Sequence, residues 1–119
     1  HWIWKTRDAV TSDAGLPLQP TVDFASCPKL DVICVPGGPG ANALLEDDAV
    51  LEFLRVKSTE VKLLTSVCVG SLVLGAAGLL RGRRAACHWL SRDMLAEFGA
   101  IPDAGRLVTD GKHLSGSGG

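Results

Sequence analysis

The sequence predicts a single α/β layered sandwich built on a mostly parallel sheet. Two observations carry this. Residues 31–35 (Asp-Val-Ile-Cys-Val) and 62–67 (Lys-Leu-Leu-Thr-Ser-Val) are near-continuous apolar runs, the signature of strands covered on both faces. Each ends abruptly in a turn and is followed by a helical pattern, an alternation that implies right-handed βαβ crossovers. The bulk numbers agree: 119 residues suit one domain, with 46% hydrophobic and 21% charged residues. A chain of this size buries roughly 65% of its unfolded surface, enough for a core.

The elements follow in order. Residues 2–5 read as a short strand already in progress at the first residue, as if a start were missing. Residues 6–29 are rich in Pro, Asp, Ser and Thr and predict no helix, only extended pieces near Leu16-Pro17-Leu18 and Val22-Asp23-Phe24. The strand 31–35 is stopped by Pro36-Gly37-Gly38-Pro39-Gly40. Residues 47–57 open with Asp47-Asp48 and carry Val50, Phe53 and Leu54 at helical spacing, so Asp47 and Asp48 are read as cap and dipole partners of an amphipathic helix. The strand 62–67 leads into a helix over residues 69–77, apolar almost all round, with Arg81-Gly82 as its stop signal. Residues 84–87 predict another strand. Residues 91–98 predict a short helix with Ser91 as cap and Gly99 beyond its end. Residues 107–109 and 112–114 flank Asp110-Gly111, a type I′ hairpin signal. The closing Gly116-Ser117-Gly118-Gly119 reads as a flexible end or a truncated glycine turn.

The net charge of −1 gives no attraction for nucleic acid or an anionic membrane, and no stretch reaches the ~18 apolar residues of a membrane helix. The basic run Arg81-Gly82-Arg83-Arg84 fits a solvated helix end. Cys27, Cys34, Cys68 and Cys87 contain no C-x-x-C pair, and His1, His88 and His113 are scattered, so no metal-ligand pattern arises. This usage suits a reduced, cytoplasmic protein rather than a disulfide scaffold. Cys34 is expected in the core, Cys27 and Cys87 as structural residues, Trp2 and Trp4 in packing, and His113 on the hairpin surface.

Cys68 is the residue that points to chemistry. It stands at a strand-to-helix junction, where unpaired N–H groups of the helix start favour the thiolate, the nucleophilic form. Gly70 lets the backbone pass tightly, as at a nucleophile elbow. Spacing alone leaves two readings open, a reactive thiol or a small buried apolar residue. Ligands of α/β folds bind beyond the carboxyl ends of the strands, where both Cys68 and the glycine-rich residues 36–40 lie.

The run from Asp31 through Pro36-Gly37-Gly38, the run Thr65-Ser66-Val67-Cys68-Val69-Gly70-Ser71 and its apolar continuation, and His88-Trp89 together resemble the DJ-1/PfpI superfamily, most closely its isocyanide (isonitrile) hydratases. The resemblance covers essentially residues 1–119. It implies a flavodoxin-like three-layer sandwich, usually homodimeric, that uses a nucleophilic cysteine and no metal or organic cofactor on a small-molecule substrate. Carried onto this sequence, Cys68 is the nucleophile, backbone N–H groups around Gly37, Gly38 and Val69 stabilise developing charge, and His88 lies near the site. The implied reaction converts an isocyanide to an N-substituted formamide through a covalent thioimidate. The sequence departs from the family at several points. Val69 stands where close hydratases carry Thr, and Pro39 removes a backbone donor. The family's first strand, its acidic partner of the cysteine and its C-terminal helix fall outside the matched residues, so the copy is expected to be incomplete.

Competing readings remain. Cys68 also suits a redox-responsive protein whose thiol is oxidised to sulfenic or sulfinic acid. It suits equally a ligand-sensing domain of a transcription regulator, although residues 1–119 contain no helix-turn-helix segment. An amidotransferase would require a His–Glu pair after the cysteine, and none follows Cys68.

Overall fold

The computed structural model describes residues 1–118. Its centre is a four-stranded sheet made of β5 (Val32–Val35), β6 (Leu63–Val67), β9 (Leu107–Asp110) and β10 (His113–Gly116), in the order β5-β6-β10-β9. β5, β6 and β10 run parallel, and β9 closes the edge antiparallel to β10. Around it lie the two-stranded pairs β1 (Ile3–Trp4) with β4 (Val22–Asp23), β2 (Val10–Thr11) with β3 (Pro17–Leu18), and β7 (Arg84–Ala85) with β8 (Ile101–Pro102). The helices are α1 (Ala41–Leu44), α2 (Asp48–Ser58) and α3 (Gly70–Ala76), followed by a 3-10 segment, Arg92–Phe98. The protein is therefore mixed α/β with a mostly parallel sheet, as the sequence predicts.

Pairing register separates the two faces of the sheet. One face presents the rows Ile33, Leu64, His113 and then Val35, Ser66, Ser115, Val108. All of these are buried, and Ile33, Val35 and Leu64 join Leu54, Leu72 and Leu95 in one core. The other face carries Cys34, which is exposed, with Val32, Val67 and Leu107 at 53%, 44% and 68% exposure. The expectation that β5 is buried on both faces is thus incorrect, because only one face of this strand meets helices within the described residues. The apolar, β-branched composition of the run obscured the alternation. For the same reason Cys34 is not a core thiol.

The capping predictions hold where charge is involved. Asp47 is extended, and its carboxylate accepts from the Val50 N–H at 3.4 Å, satisfying an orphan donor at the start of α2. Lys5 ion-pairs with the same carboxylate, holding Asp47 below the usual carboxylate range. Arg55 Nε donates to the Ala77 carbonyl at 2.9 Å, which ties α2 to the end of α3.

Other boundaries differ from expectation. α3 stops at Ala76, and Gly78 at φ 81° precedes the expected stop at Gly82. The 84–87 strand keeps only Arg84–Ala85. Residues 92–98 are 3-10 rather than α-helical, and the Ser91 side chain makes no capping bond, though Gly99 is left-handed at its C-cap. In the hairpin His113 pairs with Asp110, so the two-residue loop is Gly111-Lys112. Gly111 alone is left-handed, at φ 63°, the II′ pattern rather than I′. Trp4 packs edge-on to Phe24 while Trp2 is 66% exposed.

His113 is not on the surface. It is 8% exposed and its Nδ1 has no hydrogen-bond partner among the described residues. Burial, then the charges of Arg83 and Lys112, push its pKa below 6.5. The unfolded chain therefore takes up this proton first as pH falls. The contribution of neutral His113 is complete above about pH 6.5 and is lost progressively below it. Denaturant midpoints measured between about pH 7 and pH 5 are expected to decline, and His113→Gln is expected to flatten that decline. A second expectation concerns thiols. Cys34 reacts with a thiol reagent in the native protein, whereas Cys87, at 2% exposure, reacts only after denaturant is added. Peptide mapping after brief labelling reads both.

Candidate active site

The backbone turns sharply between β6 and α3. Cys68 sits there with φ 59°, the only non-glycine residue with positive φ among the described residues. Such a conformation costs roughly 1–2 kcal/mol for a residue with a Cβ and persists only where the surroundings enforce it. Three kinds of contact do so. The Cys68 N–H donates to the Gly116 carbonyl at 2.9 Å, extending the β6–β10 ladder by one bond into the turn. The Ser71 hydroxyl donates to the Cys68 carbonyl at 3.3 Å. The third is close packing of glycine backbones.

That packing explains the glycines. A Cβ on Gly70 would lie 2.0 Å from the Val35 carbonyl oxygen, so only glycine lets α3 start against the end of β5. A Cβ on Gly37 would lie 2.9 Å from the Cys68 Cβ and 2.8 Å from the Val69 nitrogen. Gly118, left-handed at φ 70°, comes equally close from the other side, with its Cβ position 2.9 Å from the Cys68 Cβ. The ends of three parallel strands thus converge on one thiol.

Of the residues expected to build the site, Gly37 and Val69 meet Cys68 directly. Gly38 follows at φ 111° with open space around its Cβ position. The N–H groups of Gly38 and Val69 have no hydrogen-bond partner among the described residues, so both remain available as donors. His88 is half-buried and turned to local partners. Its Nδ1 accepts from the Leu90 N–H at 3.2 Å, and its ring stacks 5.7 Å from Trp89. No hydrogen bond links His88 to Cys68 among the described residues.

Sequence reasoning missed two neighbours. Gly118 was legible only as part of a glycine-rich end; Gly119 lies outside the described residues. Cys87 is buried beside the elbow. Burial pushes its thiol pKa up, against a hydrogen bond with Ser71 and the charge of Arg92, while the Cys68 thiol adds to the rise. A cavity of about 220 Å³ adjoins the elbow, with Gly118 and Cys87 in its wall. A larger groove of about 1150 Å³ runs between Ile3–Trp4 and β5 and reaches Gly37 and Gly38. Among the described residues no group of three His, Cys, Asp or Glu gathers as a metal site would require. Among the described residues no helix is long and apolar enough to cross a membrane.

The DJ-1/PfpI family profile matches residues 1–119. The chain belongs to the DJ-1/PfpI family. It is 52% identical over 118 residues to an isonitrile hydratase of Pseudomonas putida, covering 99% of this chain and 52% of that protein. It superposes on the crystal structure of a ThiJ/PfpI family protein from Pseudomonas syringae with a TM-score of 0.94 and 48% identity, covering 98% of this chain and 49% of the other. It is also 31% identical over 115 residues to the HTH-type transcriptional regulator GbdR of Pseudomonas aeruginosa, covering 95% of this chain and 31% of that protein. The chain thus spans about half the length of the hydratase it matches.

The strain at the elbow has a measurable consequence. Cys68→Gly removes the Cβ that disfavours φ 59° and is expected to stabilise the protein by about 1 kcal/mol. Gly70→Ala is expected to destabilise it by more than about 3 kcal/mol, since backbone must move to admit the Cβ. Denaturant unfolding of the two variants against the parent checks both signs.

Proposed function

We propose that residues 1–119 form one DJ-1/PfpI-like domain that hydrates an isocyanide to an N-substituted formamide, with Cys68 as the nucleophile. One observation carries this reading. The sole strained non-glycine residue among those described is a cysteine at a strand-to-helix elbow, in a chain 52% identical to an isonitrile hydratase.

The chemistry balances with a thiol and water. The Cys68 sulfur attacks the terminal carbon of the isocyanide and forms a C–S bond. A proton is delivered to that carbon, giving a thioimidate in which sulfur and nitrogen share it. Water adds to the same carbon and transfers a proton to nitrogen. The hydroxyl of this adduct gives up its proton as the C–S bond breaks, which replaces the proton delivered to carbon in the first step; the sulfur leaves as thiolate, and the formamide departs. The N–H groups of Gly38 and Val69, unpaired within the described residues, are placed to receive charge that develops beside the elbow. Gly37 contributes by its lack of a side chain, which keeps the approach to Cys68 clear. His88 in this arrangement fixes the Trp89–Leu90 turn, and its contribution to the site is indirect.

A second reading has its own support. The similarity to a transcriptional regulator over 95% of the chain suits a domain that binds a small molecule without turning it over. The two readings separate on turnover. A homodimer in a cytoplasmic setting accompanies either.

Cys68→Ala is expected to abolish formamide production, because Cys87, the thiol beside the elbow, is buried with its pKa pushed up and cannot take over as nucleophile. Its circular dichroism spectrum and unfolding midpoint are expected to stay close to the parent's. Gas-chromatographic detection of the formamide provides the measurement, and a variant that turns over isocyanide at a comparable rate would refute the covalent route.

A further inference from the structure

We propose that Cys87 is a resolving thiol for Cys68: once a peroxide has oxidised Cys68 to the sulfenic acid, the two sulfurs close a disulfide that masks the nucleophile and is undone by reduction. The proposal rests on Cys68 being the reactive thiol and adds a modification of that same site.

The backbone brings the two cysteines to one place. The Cys68 N–H donates to the Gly116 carbonyl at 2.9 Å. The Ala86 N–H donates to the Ser115 hydroxyl at 2.8 Å. The turn that holds Cys68 and the segment after β7 that carries Cys87 are therefore pinned to consecutive residues at the end of β10. A side chain links them as well. Ser71, fully buried, donates its hydroxyl to the Cys68 carbonyl at 3.3 Å and stands in hydrogen-bonding contact with the Cys87 thiol. The Cys87 thiol also senses the charge of the Cys68 sulfur, an interaction that falls off with distance. The other two thiols lie elsewhere. Cys34 is on the open face of the sheet, and the Cys27 thiol donates to the Pro28 carbonyl in the loop before β5.

A disulfide brings the two Cβ atoms within about 3.5–4.5 Å of each other. The packing that must yield to it is glycine backbone. Gly118 packs on the Cys68 Cβ, and Gly118 and Cys87 both border a recess of about 220 Å³, so a shift there meets no filled core.

The chemistry balances with one hydrogen peroxide. The Cys68 thiolate attacks a peroxide oxygen, the O–O bond breaks and hydroxide leaves. The sulfur has then given up two electrons and is the sulfenic acid. The Cys87 sulfur attacks the Cys68 sulfur, the S–O bond breaks, and the displaced hydroxide takes the Cys87 proton and departs as water. A thiol reductant reverses the step. Burial keeps Cys87 from a reagent in solution, but the Cys68 sulfur stands on the adjoining turn.

Tryptic mapping without reduction, after exposure of the native protein to hydrogen peroxide, reads the outcome. Cleavage after Lys62, Arg81, Arg84 and Arg92 yields peptides 63–81 and 85–92, each with one cysteine. They are expected to appear joined, two hydrogens lighter than their sum, and to separate on reduction. Cys87→Ser is expected to abolish the link and to raise sulfinic acid on Cys68 at least about fivefold, since no thiol then intercepts the sulfenic acid. Cys87→Ala is a second variant with the same expectation, and unfolding midpoints verify that both are folded. Cys34→Ser is expected to leave the link in place. Failure of the 63–81 and 85–92 peptides to join in the parent, whatever Cys68 becomes, would overturn the proposal. So would equal sulfinic acid on Cys68 in the parent and both Cys87 variants. Turnover of the reduced parent separates this from the hydratase reading. The link without hydration of an isocyanide would leave the disulfide standing and refute the hydratase. Hydration with Cys68 and Cys87 never joined would do the reverse.

Discussion

The contact on which the site depends is the approach of Gly70 to the end of β5. With a Cβ position 2.0 Å from the Val35 carbonyl oxygen, α3 begins in van der Waals contact with a neighbouring strand. That leaves no room for a gradual turn out of β6, so the reversal is concentrated in Cys68, which is held at φ 59°. The hydrogen bond from Cys68 to Gly116 and the glycine walls on either side keep it there. A strained cysteine is a poor choice for stability alone, since glycine would hold the same turn at lower cost. Its presence fits a residue kept for its thiol.

The sheet supports this arrangement asymmetrically. Ile33, Val35 and Leu64 pack one face against Leu54 and Leu72 of the helices, so the strand ends at Val35, Val67 and Gly116 are brought together around Cys68. The same face tolerates polar groups where it narrows. Ser115 accepts from the Ala86 N–H at 2.8 Å, whereas Ser66 Oγ and His113 Nδ1 lie buried without partners among the described residues.

Much of this was legible in the sequence, for identifiable reasons. Asp47 announces the start of α2 because a carboxylate before an apolar periodic run has one good use, capping. Cys68 and Gly70 announce the elbow because their spacing across a strand-helix junction has a steric meaning. Burial of alternate residues in β5 was not legible, since Val32 and Cys34 are as apolar as Ile33 and Val35, and composition does not reveal which face meets a helix. The inward turn of His113 was not legible because a hairpin pattern places His113 on the face of Val108 but does not reveal that this face meets the core. Gly118 and Cys87 come to Cys68 through long-range packing that no local pattern encodes. His88 was carried by resemblance alone, and its contacts are with its own turn.

The central claim is that Cys68 forms a covalent bond with the substrate carbon. Its most direct measurement is peptide mapping after brief exposure of the native protein to an isocyanide and reductive trapping of the imidate carbon. The account predicts one adduct, on the peptide containing Cys68, whose formation keeps pace with the release of formamide. Formamide produced while Cys68 remains unmodified, or an adduct confined to exposed Cys34, would contradict it.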